Sequence, residues 1–294
     1  MSKQEEKQED VRTQKAPGVL YLCATPIGNL EDMTYRAVRI LGEVPMIAAE
    51  DTRHTRQLLT HFDIHTKLTS YHEHNKMEKG QDLIDWMLEG NDLACVSDAG
   101  LPGIADPGSM LAQQAIEAGI RVIPLPGANA ALSALISSGL DTTRFSFVGF
   151  LPKTKQKRKE RLDEVKNHRE TLLFYEAPHH LKATMDELFD ALGDRPVVLA
   201  RELTKKFEEF SRGTLGTLRP SVSGIEPRGE YVIVVSGKTE ENEETQTAKA
   251  SPAELVEKYI EAGQSKKEAM RSAAQELGIS RRDVYQALLE QENG

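Results

Sequence analysis

Cysteine is nearly absent: Cys23 and Cys95 are the only two, far apart and without a CxxC pair, which argues against a disulfide framework and a thiolate metal site. No apolar run approaches the roughly 20 residues that a membrane span requires. The opening stretch MSKQEEKQEDVRTQKA lacks the hydrophobic core of a signal peptide, so a cytosolic protein with no membrane partner is expected. GxGxxG and GxxxxGK[ST] are missing too, which removes the dinucleotide fingerprint and the main support for nucleotide hydrolysis. Excess positive charge is also lacking, since 37 Lys and Arg face 46 Asp and Glu for a net −9, whereas phosphate backbones are gripped by cations.

Local charge runs the other way in one place. PKTKQKRKER holds Lys153, Lys155, Lys157, Arg158, Lys159 and Arg161 against Glu160 alone, six positive less one negative, or +5. Composition by itself reads this as a solvated helix face.

The 294 residues are enough for about two domains, each with its own core. Residues 1–16 have no apolar periodicity and read as a disordered tail. Beyond them, apolar runs alternate with amphipathic stretches: VLYLCA, MIAAE, LTSY, LACVS and RVIPL as strands, with helices between. This predicts an α/β domain over 17–126 with a largely parallel sheet. A second α/β domain is expected over 127–237, from helix ALSALISSG through strands RFSFVGF, TLLFY, PVVLA and EYVIVVSG. GKTEENEETQTAK makes 238–250 a linker. The remainder, 251–294, is a small helical appendage whose two helices around Gly278 are compatible with a helix-turn-helix or with a plain αα-hairpin.

Ligands of open α/β sheets bind at loops after the carboxyl ends of strands. Three such loops stand out. ATPIGNLED carries Pro26 and Gly28 in a tight turn. SDAGLPGIADPG, from Ser97 to Gly108, packs three glycines, two prolines and two aspartates into twelve positions. That density favours a fixed path with close approach to a ligand, Asp98 being placed to accept its hydrogen bonds. The alternative is a structural turn with Asp106 capping the next helix. PLPGANAALSA, from Pro124, joins the two expected domains.

In order, TPIGNLEDMTYRAVRIL, AAEDTRHTRQLL, SYHEHN, VSDAGLPGIADPG, PGANAALSAL, FVGFLP, LLFYEAPHHL, ARELTKKFEEFSRGTL and RGEYVIVVSG resemble the tetrapyrrole methylase superfamily. Within it they resemble the ribosomal RNA small-subunit methyltransferase I family, which 2′-O-methylates a cytidine ribose of 16S rRNA in the decoding region. The resemblance implies two α/β domains with S-adenosylmethionine in the cleft between them. It implies a cofactor site of Pro26, the stretch from Asp98 and Ala99 through Gly103 and Ile104, Asn129, Ala130, Tyr175, Glu176, Leu203, Gly229 and Glu230. It also implies a homodimer and an acceptor RNA in the 30S subunit. One departure is His180, where the family has arginine.

A ribose hydroxyl is a poor nucleophile, and a positioned base would help it. AAEDTRHT offers Glu50, Asp51, Arg53 and His54 at a strand end. One of Asp51, His54 or Glu176 is the expected base, with Arg53 on RNA phosphate; Asp51 as a helix cap and His54 as a surface residue is the competing reading. The segment Lys153–Arg161 becomes the expected phosphate-tracking surface. His72 and His74 lack a third ligand at suitable spacing, so no metal is expected. Arg201, Glu202, Lys205 and Lys206 fit RNA contact or salt-linked surface packing equally. Two other functions fit less of the sequence: methylation of a tetrapyrrole or other small molecule, and a nucleic-acid-binding regulator acting through the terminal helices.

Overall fold

The computed structural model describes residues 15–223, 229–239, 252–261, 263–277 and 280–292. Residues 1–14 of the expected tail, 240–250 of the expected linker and Gly278 lie outside the described residues.

Five short apolar runs form the strands β1 Val19–Cys23, β2 Met46–Ala49, β3 Lys67–Ser70, β4 Leu93–Val96 and β5 Arg121–Leu125, all parallel, in the order β3-β2-β4-β1-β5. The helices α1 Tyr35–Glu43, α2 Thr52–His61, α3 Lys76–Leu88 and α4 Gly108–Glu117 connect them. Thr34 and Asp51 open α1 and α2 by accepting the N–H groups of Ala37 and Arg53, which satisfies otherwise orphaned donors. α1 and α2 bury Ala37, Ile40, Leu41 and Leu59 on one face of the sheet. α3 and α4 bury Leu83, Ile84, Met87, Leu111 and Ala115 on the other, with Trp86 packed at that core's margin. Cys23 and Cys95 are buried, and burial alone pushes the Cys23 thiol up to about 12, so both are inert core residues.

The chain leaves β1 toward β2 and leaves the adjacent β4 toward β5, in opposite directions. Such a switch point opens a crevice at the carboxyl ends of the two strands.

A second sheet contains β6 Phe145–Phe150, β7 Thr171–Glu176, β8 Pro196–Arg201, β9 Glu209–Thr214 and β10 Tyr231–Val235 in the order β6-β7-β10-β8-β9. Only β6 and β7 are parallel; the other pairs are antiparallel. α5 Ala130–Ser138 covers one face through Ala131, Ala134 and Leu135. α6 Lys155–Val165, α7 Leu181–Leu192 and α8 Leu215–Ser223 cover the other. The ends of α6 and α7 are tied by the buried Arg195, whose guanidinium donates to the carbonyls of Lys166 and Leu192.

Two elements of this sheet layer escape the expectations from sequence. β9 is an edge strand whose residues EFSRGT are all at least partly exposed, and α8 carries Pro220 inside it. Neither has the apolar period that marks a buried element.

The appendage contains α9 Pro252–Glu261, which opens on Pro252, and α10 Lys266–Leu277 and α11 Arg281–Glu292, the pair expected around Gly278. Leu255, Val256, Ala269, Ala273, Ala274 and Val284 form a core of their own. Ser265 with Glu268 and Ser280 with Asp283 form reciprocal caps on α10 and α11. Among the described residues no helix is long and apolar enough to cross a membrane.

Candidate active site

The two crossovers flanking the switch point are joined by their main chains. Thr25 N–H donates to the Gly100 carbonyl at 2.9 Å and Gly100 N–H donates to that of Thr25 at 3.0 Å. Thr25 Oγ1 donates to the Ser97 carbonyl at 3.2 Å and Ser97 Oγ to that of Gly100 at 3.1 Å. The path requires glycine at Gly100, where φ is +82°, a left-handed conformation that side chains disfavour. Asp106 Oδ1 then accepts the N–H groups of both Gly103 and Gly108 at 2.7 Å, folding the loop onto the start of α4. The density of restricted residues in SDAGLPGIADPG therefore has a local cause. The loop also faces a cavity.

That cavity measures about 480 Å³ and is walled by both sheets, within the range of small-molecule sites. The first sheet contributes Ile27, Glu50 and the run from Ser97 to Leu101 with Ile104, Ala105 and Asp106; the second contributes Phe150, Tyr175, Glu176, Ala177, Pro178, Ala200, Leu203, Lys205, Glu230, Tyr231 and Val232. Asn129 and Ala130 line it where the chain passes between them.

Asp98, Ala99, Ile104, Asn129, Ala130, Tyr175, Glu176, Leu203 and Glu230 thus converge on one space. Pro26, Gly103 and Gly229 are not in its lining: Gly103 serves by pinning the loop to Asp106, and Gly229, at φ +83°, admits the Glu202 side chain, whose Cγ lies 2.4 Å from where a Cβ would stand. Ile27, Glu50, Asp106, Phe150, Lys205 and Tyr231 are lining residues that sequence reasoning did not assign to the cofactor. Glu50 sits in the AAEDTR block and Asp106 in the glycine loop, so position at a strand end was the available signal. A bulge at Val148, between Phe147 and Gly149, precedes Phe150 in β6, and the Phe150 ring meets that of Tyr175 edge-on at 5.5 Å.

Asp51, Arg53 and His54 are not lining residues. Asp51 caps α2 and holds the Arg53 guanidinium at 2.8 Å, and these hydrogen bonds keep its carboxyl well below the usual carboxylate range. A carboxylate so stabilised is a weak base, so the capping reading of Asp51 is the one that the geometry favours. His54 is exposed on α2. His72 and His74 bring their rings to 6.0 Å, and among the described residues no group of three side chains is placed to hold a metal.

The electrostatics are lopsided. Five carboxylates, Glu50, Asp98, Asp106, Glu176 and Glu230, face the cavity with Lys205 as the single cation. Lys205 is itself neutralised by Glu202 at 2.8 Å and Glu230 at 3.1 Å, which makes ARELTKK salt-linked at this point. Burial, then the charges of Asp98 and Asp106, pushes the Glu50 carboxyl up; burial pushes Asp106 up. Strain collects here as well: of the four non-glycine residues with positive φ among the described residues, Ala105, Glu202 and Thr204 lie in the loops that form the wall.

Residues 19–219 match the family model of the tetrapyrrole (corrin/porphyrin) methylases. A ribosomal RNA small subunit methyltransferase I of Halalkalibacterium halodurans is 51% identical over 280 residues, covering 95% of this chain and 97% of the relative. One of Bacillus subtilis is 48% identical over 277 residues, covering 92% and 94%. The chain belongs to the ribosomal RNA small-subunit methyltransferase I branch of the tetrapyrrole methylase family. The fold agrees: the crystal structure of a uroporphyrin-III C-methyltransferase of Thermus thermophilus matches with a TM-score of 0.54 at 21% identity, over 74% of this chain and 94% of that one.

As a tetrapyrrole methylase the chain is a methyltransferase that uses S-adenosylmethionine. The cavity fits that donor. Its carboxylates suit a sulfonium and an ammonium, and Ile27, Leu101, Leu203 and Val232 offer apolar surface to a purine. In this methylase His180 is exposed beside α7 and is not in the cavity lining.

Proposed function

We propose that this methylase transfers a methyl group to a ribose 2′-hydroxyl of a cytidine in 16S rRNA, acting in the cytosol on the 30S subunit. The observation that carries the reading is a juxtaposition: β6, whose last residue Phe150 lines the cavity, runs through four residues into α6, whose exposed Lys155, Lys157 and Lys159 follow the exposed Lys153. A cationic helix beside an acidic donor pocket suits a polyanionic acceptor. The relatives named above support the same acceptor.

When bound, S-adenosylmethionine supplies an electrophilic methyl on a positively charged sulfur. Glu50, Asp98 and Asp106 hold negative charge on one wall, and Ile27, Leu203 and Val232 keep water from the reacting groups. Glu176, the one of the three base candidates in the lining, accepts the proton of the ribose hydroxyl. Arg53 and the exposed lysines hold phosphates. Arg161, paired with Glu164 at 3.1 Å, contributes at the edge of that surface. The methylase works as a homodimer, for which α5 and the edge strand β6 expose Leu132, Ile136 and Phe145.

Incubating the protein with methyl-labelled donor and 30S subunits, free 16S rRNA or a tetrapyrrole tests the acceptor. Label in a cytidine 2′-O position of the subunit is expected; label in the tetrapyrrole alone would overturn the reading.

A further inference from the structure

Arg158 belongs to the basic segment by sequence but not by position. It shares the inner face of α6 with Leu162 and Val165, at spacings of four and seven, and its side chain is only 13% exposed. Its Nε donates to Glu187 Oε2 at 2.6 Å, and one of its terminal nitrogens donates to Thr184 Oγ1 at 2.7 Å. Assignment of Arg158 to RNA phosphate is therefore corrected: a guanidinium anchored at two points under the helix is not presented to a solvent-borne polyanion.

What Thr184 does with its own proton is dictated by its neighbours. Arginine only donates, an ionised carboxylate only accepts, and a hydroxyl has one proton to give. Thr184 is fully buried on α7 and lies in a short hydrogen bond with Glu176 Oε2. It must therefore accept from Arg158 and donate to Glu176. The other carboxylate oxygen of Glu176 accepts the Ala177 N–H at 2.9 Å. Glu176 is 6% exposed and lines the cavity, so both of its oxygens are fixed from behind while the group faces the reactants.

The geometry points to Arg158 as a positioning residue that orients the Glu176 carboxylate through Thr184, seated in the same helix whose outer face carries the lysines. This rests on the proposed role of Glu176. Charge-assisted chains of this kind polarise each link and hold the terminal group in one rotamer.

The test uses the full chain with Thr184→Val, Thr184→Ser, Arg158→Met and Lys157→Ala. In single-turnover methylation of 30S subunits, Thr184→Val and Arg158→Met are expected to slow the step about tenfold to a hundredfold, as small misplacements do, with RNA KM and salt slope as in the parent. Thr184→Ser restores the rate; Lys157→Ala raises KM and flattens the salt slope. Without substrate, the carboxylate stretch of Glu176, isolated by difference infrared against Glu176→Gln, is expected to shift in Thr184→Val and not in Thr184→Ser. An unmoved band, or an Arg158→Met protein with normal rate, raised KM and flattened salt slope, would overturn the inference. The infrared readout needs no acceptor, so loss of the RNA reading would leave it standing.

Discussion

Thr25 and Gly100, seventy-five residues apart in sequence, exchange two main-chain hydrogen bonds of 2.9 and 3.0 Å. They stitch the crossover after β1 to the crossover after β4 across the switch point. A crevice that chain topology merely permits is thereby given a rigid floor, and the carboxylates of Asp98 and Asp106 are set on it. Asp98 is fixed further by the Asp51 N–H at 2.9 Å, which ties the end of β2 to the same floor.

Replacing Gly100 by alanine should strain this floor. The new Cβ would meet Ile27 and the Ala128 carbonyl at ordinary van der Waals distances of 3.4 and 3.5 Å, so the penalty comes from φ +82° and not from a clash. A loss of roughly 1–2 kcal/mol in chemical denaturation is expected, with weaker donor binding in calorimetry. Unchanged values for both would contradict the stitched-floor description.

Donor binding should depend on pH in a direction set by Glu50. Burial, then the negative charges of Asp98 and Asp106, pushes its carboxyl above the usual carboxylate range, so affinity for the cationic donor climbs as pH rises through that raised window. The neutral thioether product, lacking the sulfonium, should respond less. The sign for folding is opposite: the folded state binds this proton more tightly than the unfolded one, so stability without ligand declines as pH rises through the same window. Calorimetry of both ligands with the parent and Glu50→Gln would check this, the variant showing a flat donor-to-product ratio.

The proton acceptor can be separated from its two rivals. Glu176→Gln should lower the single-turnover rate about a hundredfold or more, the scale of a missing general base. Asp51→Asn and His54→Ala should leave the rate at full donor and acceptor saturation near that of the parent. A normal rate in Glu176→Gln would remove it from the mechanism.

Neutralising Lys153, Lys155, Lys157 and Lys159 together should weaken RNA binding and flatten its dependence on salt, by about 0.7–0.9 in logarithmic slope for each phosphate no longer paired with a cation. Calorimetric donor affinity should not change. Filter binding across a salt series provides the measurement, and a slope equal to the parent's would move the RNA surface elsewhere.

The glycine-rich crossover is readable in the sequence because its residues are restricted one by one, and the parallel sheet because buried strands are continuously apolar. β9 and α8 are not, since an exposed edge strand and a helix containing Pro220 obey no simple period. Lys205, in the loop after β8, and Tyr231, at the start of β10, reach the cavity from a sheet whose meeting with the first is tertiary, so no local pattern marks them. Arg158 is distinguishable from its lysine neighbours by spacing: it alone stands at helical same-face distances from both buried residues of α6, four before Leu162 and seven before Val165.

The position of Trp86 has a practical corollary. This lone indole packs against the core beneath the first sheet, so its emission follows the melting of that lobe, while circular dichroism averages every helix and strand. Superimposable curves from the two probes would mean that the lobes come apart as one cooperative unit; a split between them would reveal a half-molten intermediate.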